Sequence, residues 1–183
     1  MDRDKLFTIG HSTRSLEEFL GLLVREGVTH LVDVRAFPAS RRYPHFNGSE
    51  LAKSLAGVGI AYSHAPDLGG RRRARKDSHN TEWRNDSFRG YADYMETPRF
   101  GAALDDLLRV ARSERTVIMC AEAVPWRCHR SLISDAATAR GVSVWHILDA
   151  GIQEHRLTSF ARIDAGRVRY DASAQNDLFQ PSP

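Results

Sequence analysis

The chain has 183 residues, 42% of them hydrophobic and 27% charged. That is enough to bury one core and too little for two full domains, so wholesale disorder is excluded. The formal net charge is +3, only Cys120 and Cys128 are cysteine, and no apolar run approaches the ~20 residues of a membrane span, which argues against both a disulfide framework and an integral membrane protein. Residues 1–5 lead into the first apolar stretch without a signal-peptide core, so a cytoplasmic location and no membrane partner are expected.

In chain order, residues 6–9 form a short β-rich run that stops at Gly10-His11-Ser12, the pattern of a buried strand and a loop. Ser15 caps a helix with Glu18 three positions on, and Leu16, Phe19, Leu20, Leu23 and Val24 form its apolar face up to Gly27. Residues 30–34 are a second strand and 35–47 a long loop. A helix over 49–55 leads through Gly57 and Gly59 to a third strand at 60–63. Residues 66–87 hold Gly69, Gly70 and a basic run with no apolar periodicity, and are expected to be an exposed arm or lid. Helices over 88–95 and from Pro98 follow, then a strand at 116–119, a loop to 127, a helix over 129–140 and a strand at 142–148. Alternating strands and helices predict a single α/β domain over 1–171, with a mainly parallel, helix-flanked sheet of about five strands, a hairpin near Ala165-Gly166, and a loose tail over 172–183.

In such a sheet, ligands bind beyond the carboxyl ends of the strands. Those ends carry His11, Ser12, Asp33, Arg35, His64, Cys120, Glu122 and Asp149, groups able to transfer protons or attack electrophiles. Cys120 to Arg130, placed between strand and helix, adds Arg127, Cys128 and His129. A helix N-terminus with these cations favours an anion and lowers a thiol pKa, while an inert buried thiol is the bland alternative for Cys120. With Cys128 and His129 adjacent and no Cys-x-x-Cys pair, zinc is disfavoured, and neither metal nor cofactor is expected.

Of the 26 basic residues only Lys5, Lys53 and Lys76 are lysine. Arginine enrichment suits a phosphate-bearing partner, though solubility or base composition explains it equally well. Arg71, Arg72 and Arg73 with Trp83 and Trp126 supply cations and stacking surfaces for nucleic acid; the alternative is a solvated charged loop with Trp83 packed on the core, which for Trp83 alone is the favoured reading. Gln175, Asp177, Leu178 and Phe179 in the tail look like the short peptide with which bacterial repair proteins dock on the DNA sliding clamp.

The strand, loop and helix around Cys120, together with Val32-Asp33-Val34-Arg35, are similar in layout to the rhodanese and dual-specificity phosphatase architecture. Here the loop is longer and holds the acidic Glu122. Thr8-Ile9-Gly10-His11-Ser12-Thr13, Val32-Asp33-Val34-Arg35, Pro44-His45-Phe46-Asn47, Leu68-Gly69-Gly70-Arg71, Phe88-Arg89-Gly90-Tyr91-Ala92 and the 120–130 segment, taken in order, resemble the family catalogued as domain of unknown function 488. That resemblance marks His11, Asp33, Arg35, Cys120, Glu122, Cys128, His129 and Arg130 without assigning any of them a step.

The first functional expectation is an enzyme acting on DNA, in repair or base processing. Glu122 or Asp33 would be its base, His11 or His129 its proton carrier, Arg35 and Arg130 its phosphate clamps, and Cys120 its nucleophile. The alternatives are a rhodanese- or phosphatase-like thiol enzyme on a small anionic substrate, and a non-catalytic nucleic-acid-binding module.

Overall fold

Strand pairing here is dictated by short apolar runs, each followed by an amphipathic helix that must return over the sheet. The computed structural model describes residues 5–172. Its strands are β1 (Lys5–Gly10), β2 (His30–Asp33), β3 (Ala61–His64), β4 (Thr116–Cys120), β5 (Ser143–Leu148) and β6 (Gly151–Glu154). They form one sheet in the order β3-β2-β4-β1-β5-β6, in which the first five are parallel and β6 pairs antiparallel with β5. The α/β domain and the five parallel strands expected from the sequence are therefore present. The sixth was not anticipated, because Gly151–Glu154 is an exposed edge strand without apolar alternation.

Five helices flank the sheet: α1 (Leu16–Arg25), α2 (Gly48–Gly57), α3 (Asp86–Met95), α4 (Pro98–Ser113) and α5 (Arg130–Ala139). Neighbouring residues in the strands point to opposite faces, which divides the core in two. Phe7, Ile9, Leu31, Val117 and Met119 pack against Phe19 and Leu23 of α1 and Leu51 and Leu55 of α2. On the other face, Leu6, Val32, Ile118 and Val144 meet Tyr91 of α3, Leu104 and Leu108 of α4, and Leu132 and Ile133 of α5. Ser15 and Glu18 complete the expected capping box of α1. Val24, expected on its apolar face, is 55% exposed, because that face is already filled by Phe19 and Leu23. Beyond the sheet, β7 (Arg162–Asp164) and β8 (Arg167–Arg169) form the expected hairpin, with φ of 46° at Ala165 and 73° at Gly166 as a tight two-residue turn requires.

Residues 66–87 are not a free arm. Their backbone crosses α3 at Gly90, where an added Cβ would lie 2.4 Å from the Arg72 carbonyl oxygen. Arg72 sits 3.6 Å above the Tyr94 ring, and the Arg75 amide, Ser78 hydroxyl and Asn80 side-chain amide all donate to the Asp93 carboxylate. Among the described residues no helix is long and apolar enough to cross a membrane.

Candidate active site

Gly10 of β1 pairs in register with Cys120 of β4, and Asp33 of β2 with Met119, so three parallel strands end side by side. Their loops enclose a cleft of about 620 Å³ lined by His11, Arg35, Phe37, Arg42, Arg71, Cys120, Glu122, Cys128 and His129. Gly10 is required at its base, since a Cβ there would come within 1.6 Å of the Glu122 carbonyl oxygen.

The cleft floor is a pair of free thiols, with Cys120 and Cys128 Sγ 2.7 Å apart. Arg130 lies behind them with 1% of its surface exposed. Its Nε donates to Cys120 Sγ at 3.0 Å, one terminal nitrogen donates to the Glu122 carbonyl at 2.5 Å and the other to Thr8 Oγ1 at 3.3 Å. Among the described residues no carboxylate pairs with this buried cation, a costly arrangement unless a negative charge stands beside it. The sulfurs are the groups in place to carry that charge.

The two thiols differ in their surroundings. Burial pushes the Cys120 thiol up, and its hydrogen bond with Cys128 pushes the same way, leaving it well above the usual range. Burial raises Cys128 too, but hydrogen bonds from Cys120 and His129 and the charges of His129 and Arg130 outweigh it, so Cys128 falls well below the usual range. The Arg130 amide at the start of α5 also points at Cys128 Sγ, at 3.5 Å. His129 Nε2 donates to the Val34 carbonyl at 3.0 Å, and Nδ1 faces Cys128 Sγ at 3.4 Å, placed to take the thiol proton and then donate it back as a hydrogen bond to the thiolate.

The second wall is built on Asp33, which is fully buried and accepts from Arg35 Nη2 at 2.6 Å and from the Tyr62 hydroxyl at 2.9 Å. His11 stacks on Phe46 at 4.3 Å and donates from Nδ1 to the Ser12 carbonyl. Its Nε2 is thereby free to accept from Arg35 Nη1 at 3.5 Å. Burial lowers His11 to about 4, and the Arg35 charge adds to that effect over the opposing carbonyl bond, so the ring is neutral near pH 7.

The structure thus brings His11, Arg35, Arg71, Cys120, Glu122, Cys128 and His129 together, but redistributes their parts. Cys128 rather than Cys120 carries the acid-shifted thiol. The Glu122 carboxylate side is exposed and its carbonyl does the bonding, Asp33 is committed to Arg35 and Tyr62, and Arg130 is buried behind the thiols rather than free to clamp a phosphate. Trp83 is packed on Phe88, Phe160 and Tyr170, so it is not available as a stacking surface. Trp126 is 60% exposed but lines a different cavity, with His146 and His155. Arg73 and Arg127 are exposed, and Arg72 is spent on Tyr94. Gln175, Asp177, Leu178 and Phe179 lie outside the described residues.

Sequence reasoning missed Thr8, Asp135, His146 and His155, the buried polar groups behind Arg130. Their signal was a polar side chain at an inward position of an apolar run, as in Leu6-Phe7-Thr8-Ile9 and Val144-Trp145-His146-Ile147. Among the described residues no group of three or more His, Cys, Asp or Glu could hold a metal ion.

A doubly flanked, mainly parallel sheet with two thiols and a buried arginine at its strand ends defines an α/β protein with a candidate thiol site. The family model described as domain of unknown function DUF488 matches residues 15–137, and the chain belongs to that family. No curated protein and no solved structure gives a match.

Proposed function

We propose that the protein is a thiol enzyme acting on a small oxidised anion, with Cys128 as nucleophile and Cys120 as the second thiol. The observation that carries this reading is the buried Arg130, its Nε on Cys120 Sγ and, among the described residues, no carboxylate beside it. The mouth of the cleft supports an anionic substrate. Arg42 and Arg71 line it, Phe37 beside them is 70% exposed, and Arg71 holds a left-handed φ of 63°, a conformation that non-glycine residues adopt at a cost.

In the first step the Cys128 thiolate attacks the electrophilic atom of the substrate, a bond to sulfur forms, and the leaving group departs with its electron pair. In the second, Cys120 sulfur attacks Cys128 sulfur. The disulfide forms, the pair of electrons from the broken bond stays on the substrate atom, and the Cys120 proton passes to that departing group. The dithiol loses two electrons, the substrate gains two, and a soluble dithiol reductant restores the enzyme.

The test is turnover of arsenate and thiosulfate in the presence of dithiothreitol, with mass spectrometry of the cysteine peptides. C128S is expected to lose turnover at least a hundredfold, and C120S to accumulate a substrate adduct on Cys128. Turnover that survives in C128S, or cysteines unmodified by every probe, overturns the reading.

The nucleic-acid reading, with DNA repair and the sliding clamp as its setting, is supported by the exposed Arg71, Arg73, Lys76 and Arg127 and by Trp126. Salt-dependent binding of single-stranded or duplex DNA that is lost when Arg71, Arg73 and Lys76 are replaced by alanine favours it.

A further inference from the structure

Behind Arg130, four buried side chains form a file of hydrogen bonds that, with both imidazoles neutral, runs in one direction from Thr8 to Asp135. A guanidinium only donates, so Thr8 Oγ1 accepts from Arg130, while the Asp135 carboxylate only accepts, so neutral His155 and His146 rings each keep their hydrogen on Nε2 and the Thr8 hydroxyl donates to His146 Nδ1, 2.8 Å away. With Nδ1 accepting, the neutral His146 ring carries its hydrogen on Nε2 and donates to His155 Nδ1 at 3.0 Å. His155 then carries its hydrogen on Nε2, 2.9 Å from Asp135 Oδ1. Asp135 also accepts from the Thr158 amide at 3.0 Å, the Thr158 hydroxyl at 2.7 Å and the Tyr170 hydroxyl at 2.7 Å, so it is an acceptor on every side. The sheet register sets this up: Thr8 of β1 lies opposite His146 of β5, and α5 supplies both Arg130 and Asp135 above them.

Neither Thr8, His146, His155 nor Asp135 lines the cleft. Arginine keeps its proton at any working pH, so the file cannot carry a proton to the thiols. What it can do is orient. We infer that Asp135, His155 and His146 are positioning residues that commit the Thr8 hydroxyl proton away from Arg130, and so hold the guanidinium with Nε on Cys120 and its charge beside the Cys128 thiolate. This rests on the thiol reading above and assigns its charge-holding part to residues outside the cleft. The other groups facing Cys128 are Cys120 from β4, His129 beside it in the chain, and Tyr91 from α3, whose ring lies 5.3 Å from that of His129.

The experiment is the pH profile of Cys128 alkylation by iodoacetamide, followed by peptide mass spectrometry on the full chain. The wild type is expected to react at a pH below that of a free thiol. H146L, D135N and T8V are expected to move the midpoint up by about 1 pH unit, a tenfold smaller thiolate fraction at the acidic end. H146N, which keeps an acceptor for the Thr8 hydroxyl, is expected to restore most of the shift. Where H146L or D135N fails to fold, T8V, which loses only a hydroxyl, decides. An acid-shifted wild-type profile reproduced in the folded variants overturns the positioning role alone, whereas a wild type with an ordinary thiol profile overturns the thiol reading itself.

Discussion

Cys120 and Cys128 are chemically the same group, and their neighbours separate them. Cys128 has the His129 imidazole and the Arg130 amide on its sulfur, whereas Cys120 is more deeply enclosed and has the Arg130 side chain. The histidines follow the same logic. His11 and His146 are lowered to about 4 and about 3, mainly by burial, while the unfolded chain titrates near the ordinary 6.5. Between these values the unfolded state binds more protons than the folded one, so stability is full above the unfolded value and declines as the pH falls through that window. The urea midpoint is therefore expected to be lower at pH 5 than at pH 7, and H11Q is expected to show a smaller drop. An equal drop in H11Q would remove His11 from this account.

At the scale of elements, the basic segment shows how a side chain as small as hydrogen sets a path. Gly90 lets residues 72–74 lie directly on α3, and the Arg72 and Arg75 contacts follow from that approach. G90A is expected to push the segment off the helix at a cost of about 1–3 kcal/mol, the usual range for overpacking. A thermal melt checks this, and an unchanged melting temperature would mean the segment has room to yield. The strands and helices were largely legible in the sequence because apolar period and punctuation by Gly, Pro and Ser agree in each of them. The path of 66–87 was not, since it depends on contacts with Tyr94, Asp93 and Glu96 that have no local pattern. Trp83 sits in a basic segment whose composition suits nucleic acid, but for the ring alone core packing is the favoured reading, and it packs on Phe88, Phe160 and Tyr170.

Over the whole molecule, parallel topology gathers residues more than a hundred positions apart, because strands β2, β4 and β1 are neighbours and all end at one edge. That much of the site follows from alternation of strand and helix alone, which is why His11, Arg35, Cys120 and His129 could be placed together from sequence. What alternation does not give is which faces point at one another. The line from Arg130 to Asp135 depends on β1 and β5 being adjacent, and β5 is the fifth strand in the chain.

The lone arginine beneath the sulfurs has a consequence for the electrochemistry of the pair. Joining the sulfurs would erase the anion that balances a sealed cation, so the fold favours the reduced partners and raises the reduction potential of the couple, as stabilisation of a reduced form does in general. Equilibration against glutathione buffers is expected to leave the wild type reduced where R130Q oxidises. Only strong oxidants would then draw electrons from this protein, and ordinary cellular disulfides would pass it by.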